Sequence, residues 1–320
     1  MLLKPSTNKL KQTSRERVRD EMSTLHNSHN GEEMKRPLVI YHGNCADGFS
    51  AAWCFWKKYG IDCDYIAGVY QQDPPDVTGR DVFLVDFSYK SNVVERMLDE
   101  ANTVTLIDHH KTAIEGLREL KERHISTNGN GRGDRFGWYC DLDRSGATLA
   151  WDYLFPGDPR PLLLAHVEDR DLWRFKLDGT REIQAFLFSH EYSFELWDKL
   201  MDAKYPELLE MAAAGEAIER KHHKDIAELL GVCARRMTIG GHDVPVASLP
   251  YTMVSDAAHE MAKGEPFSAC YWDTADGRVF GLRATNEGAD VSEIATQYGG
   301  GGHAKSAGFK VPRNHPLAMA

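Results

Sequence analysis

The sequence predicts an α/β fold, with a parallel sheet in its larger part and a smaller α/β unit towards the C-terminal end. Two patterns predict it. Apolar runs rich in β-branched residues stop abruptly at an acid or imidazole: residues 37–41 at His42, 82–85 at Asp86 and 104–107 at Asp108. Buried parallel strands end in this way. Segments of helical length, residues 49–59 and 91–101, lie between the runs, and alternation of strand and helix marks a doubly wound sheet.

Along the chain, residues 1–36 mix Lys, Arg, Glu, Ser, Asn and His with almost no apolar periodicity. This arm is expected to be disordered, because it buries too little to offset its ordering entropy. Its Arg15, Arg17 and Arg19 are interleaved with acids and read as solvated charges. Residues 37–178 form the expected parallel-sheet domain. The first strand runs into His42-Gly43-Asn44-Cys45-Ala46-Asp47-Gly48, Gly60 stops the helix that follows, and residues 65–69 supply another strand. Glycines at 129, 131, 133 and 137 predict a mobile loop over 126–137, from which Arg132 and Arg135 reach solvent or a phosphate. Asp143 or Ser145 caps a helix through Trp151 whose free amides could hold an anion.

Residues 161–167 read as a helix ending in Glu168-Asp169-Arg170-Asp171-Leu172-Trp173, with Arg170 and Arg174 as ordinary ion-pair partners of these acids. Residues 179–232 read as a helical connector, chiefly 206–230 with Gly231 as its stop. His222 and His223 are consecutive on it, share no helix face and read as surface residues. The unit at 233–320 alternates strands at 237–239, 244–249, 268–272 and 279–284 with helices near 255–263 and 291–295. It closes on Tyr298-Gly299-Gly300-Gly301-Gly302-His303-Ala304-Lys305-Ser306-Ala307-Gly308-Phe309. Successive glycines are entropically costly and persist where backbone turns tightly or approaches a ligand closely.

Composition narrows the function. A net charge of −10 argues against a long track for duplex nucleic acid. A short or small phosphate ester fits better, because a basic pocket or bound cations reverse the sign locally. No run approaches ~18 apolar residues and the N-terminal stretch lacks the apolar core of a secretory signal, so no membrane association is expected. The six cysteines, at 45, 54, 63, 140, 233 and 270, form no zinc-type pair and no tight disulfide framework, which points to a reducing cytoplasm.

The strand ends carry the chemistry. Asp108-His109-His110 alone could be a polar loop, but His42, Asp47 and Asp86 stand at the neighbouring strand ends. Buried carboxylates without a cation repel one another strongly. Imidazole with carboxylate suits Mn²⁺, Fe²⁺, Co²⁺ or Zn²⁺ better than Ca²⁺, and two such ions need about seven or eight donors with shared carboxylates. A dinuclear site is therefore expected.

In their order, His42 to Gly48, Asp86, Asp108-His109-His110 and the run from Gly299 to His303 resemble the DHH phosphoesterase superfamily over residues 37–312. Its members include RecJ-type nucleases, nanoRNases, cyclic-dinucleotide phosphodiesterases and manganese-dependent pyrophosphatases. The resemblance implies a DHH catalytic domain at 37–178, a DHH-associated substrate-binding domain at 233–320 and two divalent ions, Mn²⁺ foremost. One ion would be held by His42, an acid of the first loop and Asp86; the other by Asp47, Asp86, His109 and the acid of a fourth motif. Position at a helix end favours Asp169 for that acid, and an acid-x-Trp pattern favours Asp171. The catalytic residues implied are Asp86 as the bridge, Asp108 orienting His109 through its second ring nitrogen, and His110 at the phosphate or leaving group. Arg283 matches the family's phosphate-binding arginine. With Gly300, Gly301, Gly302, His303 and Ser306 it would close over the substrate and stabilise the charge added by in-line attack.

The first motif departs from the family. Many members carry Asp-x-Asp where this chain has Cys45 two positions before Asp47. Either Cys45 ligates as a thiolate, favouring a softer ion such as Zn²⁺ or Fe²⁺, or it packs in the loop while Asn44 or water takes the place. The leading implied function is a metal-dependent phosphodiesterase, of nanoRNase or oligoribonuclease type, that cuts short oligonucleotides or dinucleotides to mononucleotides. The alternatives are a pyrophosphatase or polyphosphatase, for which Arg283 and Lys305 offer few cations, and a catalytically weak nucleotide-binding protein. Tyr298 or Phe309 would stack a purine or belong to the core. The expected partner is a short oligonucleotide or dinucleotide, not duplex nucleic acid or membrane, with a homodimer allowed.

Overall fold

The computed structural model describes residues 35–70, 72–124 and 135–320. Nearly all of the expected N-terminal arm, with its arginines, and Arg132 lie outside the described residues.

The first domain contains β1 (Leu38–His42), α1 (Ala46–Tyr59), β2 (Asp64–Gly68), β3 (Asp81–Val85), α2 (Ser91–Glu100), β4 (Thr103–Asp108), α3 (Lys111–Gly116), α4 (Arg118–His124), β5 (Phe136–Cys140), α5 (Gly146–Leu154) and α6 (Leu162–Asp171). Its five strands lie in the order β2-β1-β3-β4-β5, and every neighbouring pair is parallel. Side chains alternate between two buried faces. Val39, Val85 and Ile107 pack with Trp53, Phe55 and Leu164, whereas Leu38, Ile40, Leu84 and Leu106 pack with Val94, Met97 and Leu120. Helices on both faces explain why these strands read as continuous apolar runs. Gly60 ends α1 as expected, at φ 56° with its N–H on the Trp56 carbonyl.

The loop expected to extend through Gly137 is shorter, because residues 136–140 form the edge strand β5. Gly137 belongs to that strand, since a Cβ there would lie 2.7 Å from Thr105 Oγ1 on β4. Arg135 is not free to reach a phosphate. Its guanidinium donates to the carbonyls of Ala101, at 2.7 Å, and Leu98, at the end of α2.

Three helices follow: α7 (Thr180–Phe188), α8 (Phe194–Met201) and α9 (Tyr205–Cys233). Gly231 does not stop α9, which continues to Cys233 with the Ala234 N–H on the Leu230 carbonyl. A glycine inside a helix costs about 1 kcal/mol and need not end it.

The second domain contains β6 (Arg235–Ile239), β7 (His242–Ser248), α10 (Val254–Met261), β8 (Ser268–Asp273), β9 (Gly277–Arg283), α11 (Val291–Gln297), β10 (Gly301–His303), β11 (Ser306–Pro312) and α12 (Pro316–Met319). Its sheet runs β10-β11-β9-β8-β7-β6, antiparallel except between β7 and β8. Phe280, Leu282 and Phe309 pack with Ile294 of α11; Ala247 and Cys270 pack with Val254 and Ala258 of α10 and Ile226 of α9. Tyr298 stacks on Phe309 at 4.4 Å, and its hydroxyl accepts the Gly240 N–H at 2.9 Å. Both aromatics therefore belong to this core rather than to a base-stacking surface.

Candidate metal centre

The strand order reverses between β1 and β3, and ligands of open α/β sheets bind at the carboxyl ends of strands at such a point. His42 closes β1, Asp86 follows β3, and β4 ends in Asp108 before His109 and His110. Asp86 turns back at φ 53°, a left-handed conformation that aspartate tolerates better than most residues, and its N–H donates to the Ile107 carbonyl at 2.9 Å. Its carboxylate thereby becomes the centre of the cluster. Oδ1 lies 3.0 Å from His109 Nε2 and 3.8 Å from His110 Nδ1, and Oδ2 lies 3.4 Å from His42 Nδ1. His109 Nε2 also meets Asp47 Oδ2 at 3.7 Å and Asp171 Oδ2 at 3.4 Å.

The fourth-motif acids separate cleanly. Asp169 accepts hydrogen bonds from the Lys176 N–H at 2.8 Å, the Leu177 N–H at 3.0 Å and the Thr180 hydroxyl at 2.7 Å. It therefore organises the loop after α6 and faces away from the cluster, while Asp171 faces His109. The chain wraps so tightly here that Trp173 and Phe175 adopt φ of 54° and 47°, which is rare for aromatic residues. Arg174 pairs with Glu168 at 3.4 Å, as expected of an ordinary salt bridge.

Asp108 does not orient His109. Its Oδ1 accepts the N–H groups of His109 at 2.7 Å and His110 at 3.2 Å and lies 2.7 Å from His110 Nδ1, so the ring it fixes is His110. His109 directs Nε2 at the three other carboxylates, and its Nδ1 is buried without a hydrogen bond. The two rings lie side by side, centroids 4.8 Å apart, and the acid before them reaches the ring of the second but not of the first.

Ser145, not Asp143, caps α5, with its hydroxyl on the Thr148 N–H at 3.4 Å. The amides of Gly146 and Ala147 do hold an anion, but an internal one: Asp47 accepts them at 2.6 and 3.1 Å. The acid of the first loop is thus fixed by the helix N-terminus.

Burial pushes the Asp47 carboxyl well above its ordinary range, with Asp86 and Asp171 adding repulsion. Asp86 goes the other way: burial opposes its charge, but His109 and His42 hold it well below. Burial likewise opposes charge on His42 and His109, and contact with Asp86 raises both well above normal. The carboxylates therefore draw positive charge onto the imidazoles, the demand that a metal cation would meet. Asp86 Oδ2 and Asp108 Oδ2 are buried without hydrogen-bond partners. Asp47, Asp86 and His109 bring their ligand atoms within 4.8 Å of one another, as do His42, Asp86 and His110, and Asp86 is common to both groups. Such donor sets could hold a divalent metal ion. Cys45 touches His42, and burial pushes its thiol up.

The second domain supplies one more ring. His303 stacks on His110, with centroids 4.5 Å apart, and lies 4.7 Å from His109. Burial and the neighbouring imidazoles push its pKa down to about 2, so it is neutral. The glycine run explains this approach. Gly302 N–H donates to Thr112 Oγ1 at 2.9 Å, and a Cβ on Gly301 would sit 2.7 Å from that oxygen. Lys111 pairs with Asp290 at 2.6 Å. Gly300 backs onto Gly308 and Phe309, and Ser306 stands opposite His303 and, on the other side, Arg283. Arg283 donates to the Leu282 carbonyl and the Ser255 hydroxyl, both at 2.8 Å.

Three features have no motif in the sequence. Tyr70 is half-exposed, with its ring 5.4 Å from His42 and 4.9 Å from the buried Phe87. Arg170 lies 4.4 Å over the Trp173 ring and pairs across the domains with Asp256 at 3.9 Å rather than with its neighbouring acids. His222 is partly buried, not a free surface residue: its Nε2 meets Asp256 at 3.1 Å because that part of α9 faces α10. His223 pairs with Glu219, at 2.8 Å, on the exposed side.

No protein-family model matches the chain. Protein R106 of Acanthamoeba polyphaga mimivirus, described as uncharacterized, is 29% identical over 298 residues, which cover 85% of this chain. The match spans 66% of the viral protein, just under two thirds of its length. Among solved structures, the pGpG-specific phosphodiesterase PggH from Vibrio cholerae aligns over 87% of this chain and 94% of its own, with 16% identity and a TM-score of 0.46. An exopolyphosphatase-related protein from Bacteroides fragilis aligns over 95% and 94%, with 10% identity and a TM-score of 0.42. No helix among the described residues is long and apolar enough to cross a membrane.

Proposed function

We propose that this protein is a DHH-type, metal-dependent phosphodiesterase that hydrolyses short oligonucleotides or dinucleotides to mononucleotides. The observation that carries the reading is Asp86, a buried carboxylate common to two donor groups, with His303 of the second domain lying against its partner His109. Asp47, Asp86, His109 and Asp171 would hold one ion, and His42 and Asp86, with Cys45 alongside, the other. When bound, such ions, Mn²⁺ foremost, would supply Lewis-acid stabilisation of the phosphoryl oxygens.

The chain's own groups do the rest. Asp108 holds His110 with Nδ1–H towards its carboxylate, which leaves Nε2 to exchange a proton with the leaving oxygen. Neutral His303 can hydrogen-bond a phosphate oxygen without adding a charge, and Arg283 offsets the negative charge that develops. A nucleotide substrate is favoured over pyrophosphate by Tyr70, a half-exposed aromatic beside His42 against which a base would pack. Lys305 donates to the Gly288 carbonyl at 2.7 Å, so one of the few cations that a pyrophosphatase would need is engaged in the fold.

The test is product analysis with labelled short RNA oligomers, a cyclic dinucleotide and pyrophosphate, each with and without Mn²⁺, with Asp86→Asn as control. Mononucleotide release that needs both the metal and Asp86 supports the reading. Orthophosphate from pyrophosphate alone would replace it with the pyrophosphatase reading, and nucleotide binding without turnover in any metal would replace it with a binding protein.

A further inference from the structure

Two of the acids assigned to one ion, Asp47 and Asp171, are held by different helices. The amides that open α5 hold Asp47, and Asp171 is the last residue of α6. Their carboxylates converge on His109 Nε2, at 3.7 and 3.4 Å. Metal–ligand distances tolerate deviations of only about 0.2 Å, so the spacing of α5 and α6 bears directly on how well this donor set closes on an ion.

One side chain joins the two helices at this point. Glu168 lies three residues before Asp171, on the same face of α6. Its Oε2 accepts the Ser145 N–H at 3.2 Å and the Thr148 hydroxyl, both at the start of α5. That hydroxyl also stands 3.1 Å from the Ser145 carbonyl, but its one proton goes to the charged acceptor, which bonds more strongly. Arg174 braces the contact from the loop after α6, with Nη1 3.4 Å from Glu168 Oε1 and Nη2 on the Asp143 carbonyl at 2.5 Å. Ser145 and Thr148 are buried, and the Glu168 side chain is only 16% exposed. The clamped segment has little slack. A Cβ on Gly146 would sit 2.5 Å from Asp86 Cβ and 3.0 Å from Asp47 Oδ2, so the start of α5 is in contact with two acids of the donor set.

We propose that Glu168 is a positioning residue, a clamp between α5 and α6 that sets the spacing of Asp47 and Asp171 and thereby the affinity for the ion they share. This rests on the metal-dependent phosphodiesterase reading. Glu168 itself touches neither ion nor substrate; it acts through the helix start that holds Asp47.

The test titrates Mn²⁺ into the wild type, Glu168→Ala, Glu168→Gln, Thr148→Val and the Glu168→Ala/Thr148→Val double variant, reading free Mn²⁺ by its EPR signal. Glu168→Ala should weaken one bound ion by about 10- to 100-fold, the loss usual when a group that orients a ligand is removed. Glu168→Gln keeps an acceptor oxygen in place and should recover most of that affinity. Thr148→Val, similar in volume but without the hydroxyl, should show part of the loss, and the double variant should lose less than the two single effects combined. If Glu168→Ala does not fold, Thr148→Val and Glu168→Gln carry the test. Wild-type affinity in Glu168→Ala and Thr148→Val despite a lowered Tm, or strictly additive losses, would overturn the clamp. A wild type that binds Mn²⁺ but releases no mononucleotide fails the phosphodiesterase reading alone and leaves the affinities to judge the clamp; a wild type that binds no divalent ion fails both.

Discussion

His303 of the second domain lies face to face with His110 of the first, centroids 4.5 Å apart and planes 23° apart. One ring is held by Asp108 and the other is kept neutral by burial and its imidazole neighbours, so under the proposed reading the pair would join a proton carrier to an uncharged hydrogen-bonding group. His303→Ala should lower kcat by about 10²–10³, the loss typical of one transition-state donor, while bound metal stays the same by elemental analysis. A parallel fall in metal content would make His303 a ligand instead.

The two acids of the fourth motif should part company on mutation. Asp171→Asn should weaken metal binding by about tenfold or more without destabilising the metal-free protein, because it removes repulsion from Asp86 and Asp47. Asp169→Asn should keep the metal and lose about 1–3 kcal/mol of stability, since an amide replaces a carboxylate that accepts three hydrogen bonds. Metal titration and denaturant unfolding of both variants separate the roles.

Domain contact can be tested through Gly301. A methyl group there would collide with Thr112 Oγ1, so Gly301→Ala should push the glycine loop away from the triplet and cut activity. Thr112→Ala removes that oxygen, and the double variant should regain part of the loss. A double-mutant cycle with strictly additive effects would show that the two positions do not communicate.

The His222–Asp256 contact gives a pH signature. Hydrogen bonding to Asp256 raises His222 above 6.5, so its contribution is complete below 6.5 and lost as pH climbs through the raised value. Burial opposes the charge of Asp256, but His222 and Arg170 hold it below 3.8; its contribution is present above 3.8 and is lost in stronger acid. Tm should therefore be best supported by this pair between 3.8 and 6.5. His222→Gln should flatten the decline above that window, and an unchanged Tm profile would remove the pair from the account.

Chelation supplies a fifth handle. Asp47 and Asp86 are buried together, and burial with mutual repulsion raises Asp47. Adding Mn²⁺ to chelator-treated protein should raise Tm in proportion to the logarithm of free metal, and Asp86→Asn should blunt the rise.

The sequence made the sheet legible because each strand ends where apolar character gives way to an acid or imidazole. The same break placed His42, Asp86 and His109 at one edge, where the structure brings them together. It did not reveal β5, since Phe136-Gly137-Trp138-Tyr139-Cys140 follows a glycine-rich stretch and its glycine serves close packing on Thr105. Asp169 and Asp171 differ in what lies within reach, two backbone amides and the Thr180 hydroxyl for one and His109 for the other, which composition does not encode. The role of Asp108 was hidden for the same reason: side-chain direction after a strand decides whether an acid meets the first imidazole or the second. Asp256 joins partners from α6, α7 and α9, a junction that no local pattern announces.

The amides of Gly146 and Ala147 open a helix N-terminus of the kind that cradles a phosphate, but Asp47 has filled that niche. The helix dipole is thus turned inward, as a built-in plug that belongs to the resting protein. An incoming anion finds these two amides already taken and, under the proposed reading, would depend on cations and long guanidinium side chains. Selectivity would then follow ionic conditions and metal supply more closely than it would in an enzyme whose anion hole is fixed in its backbone.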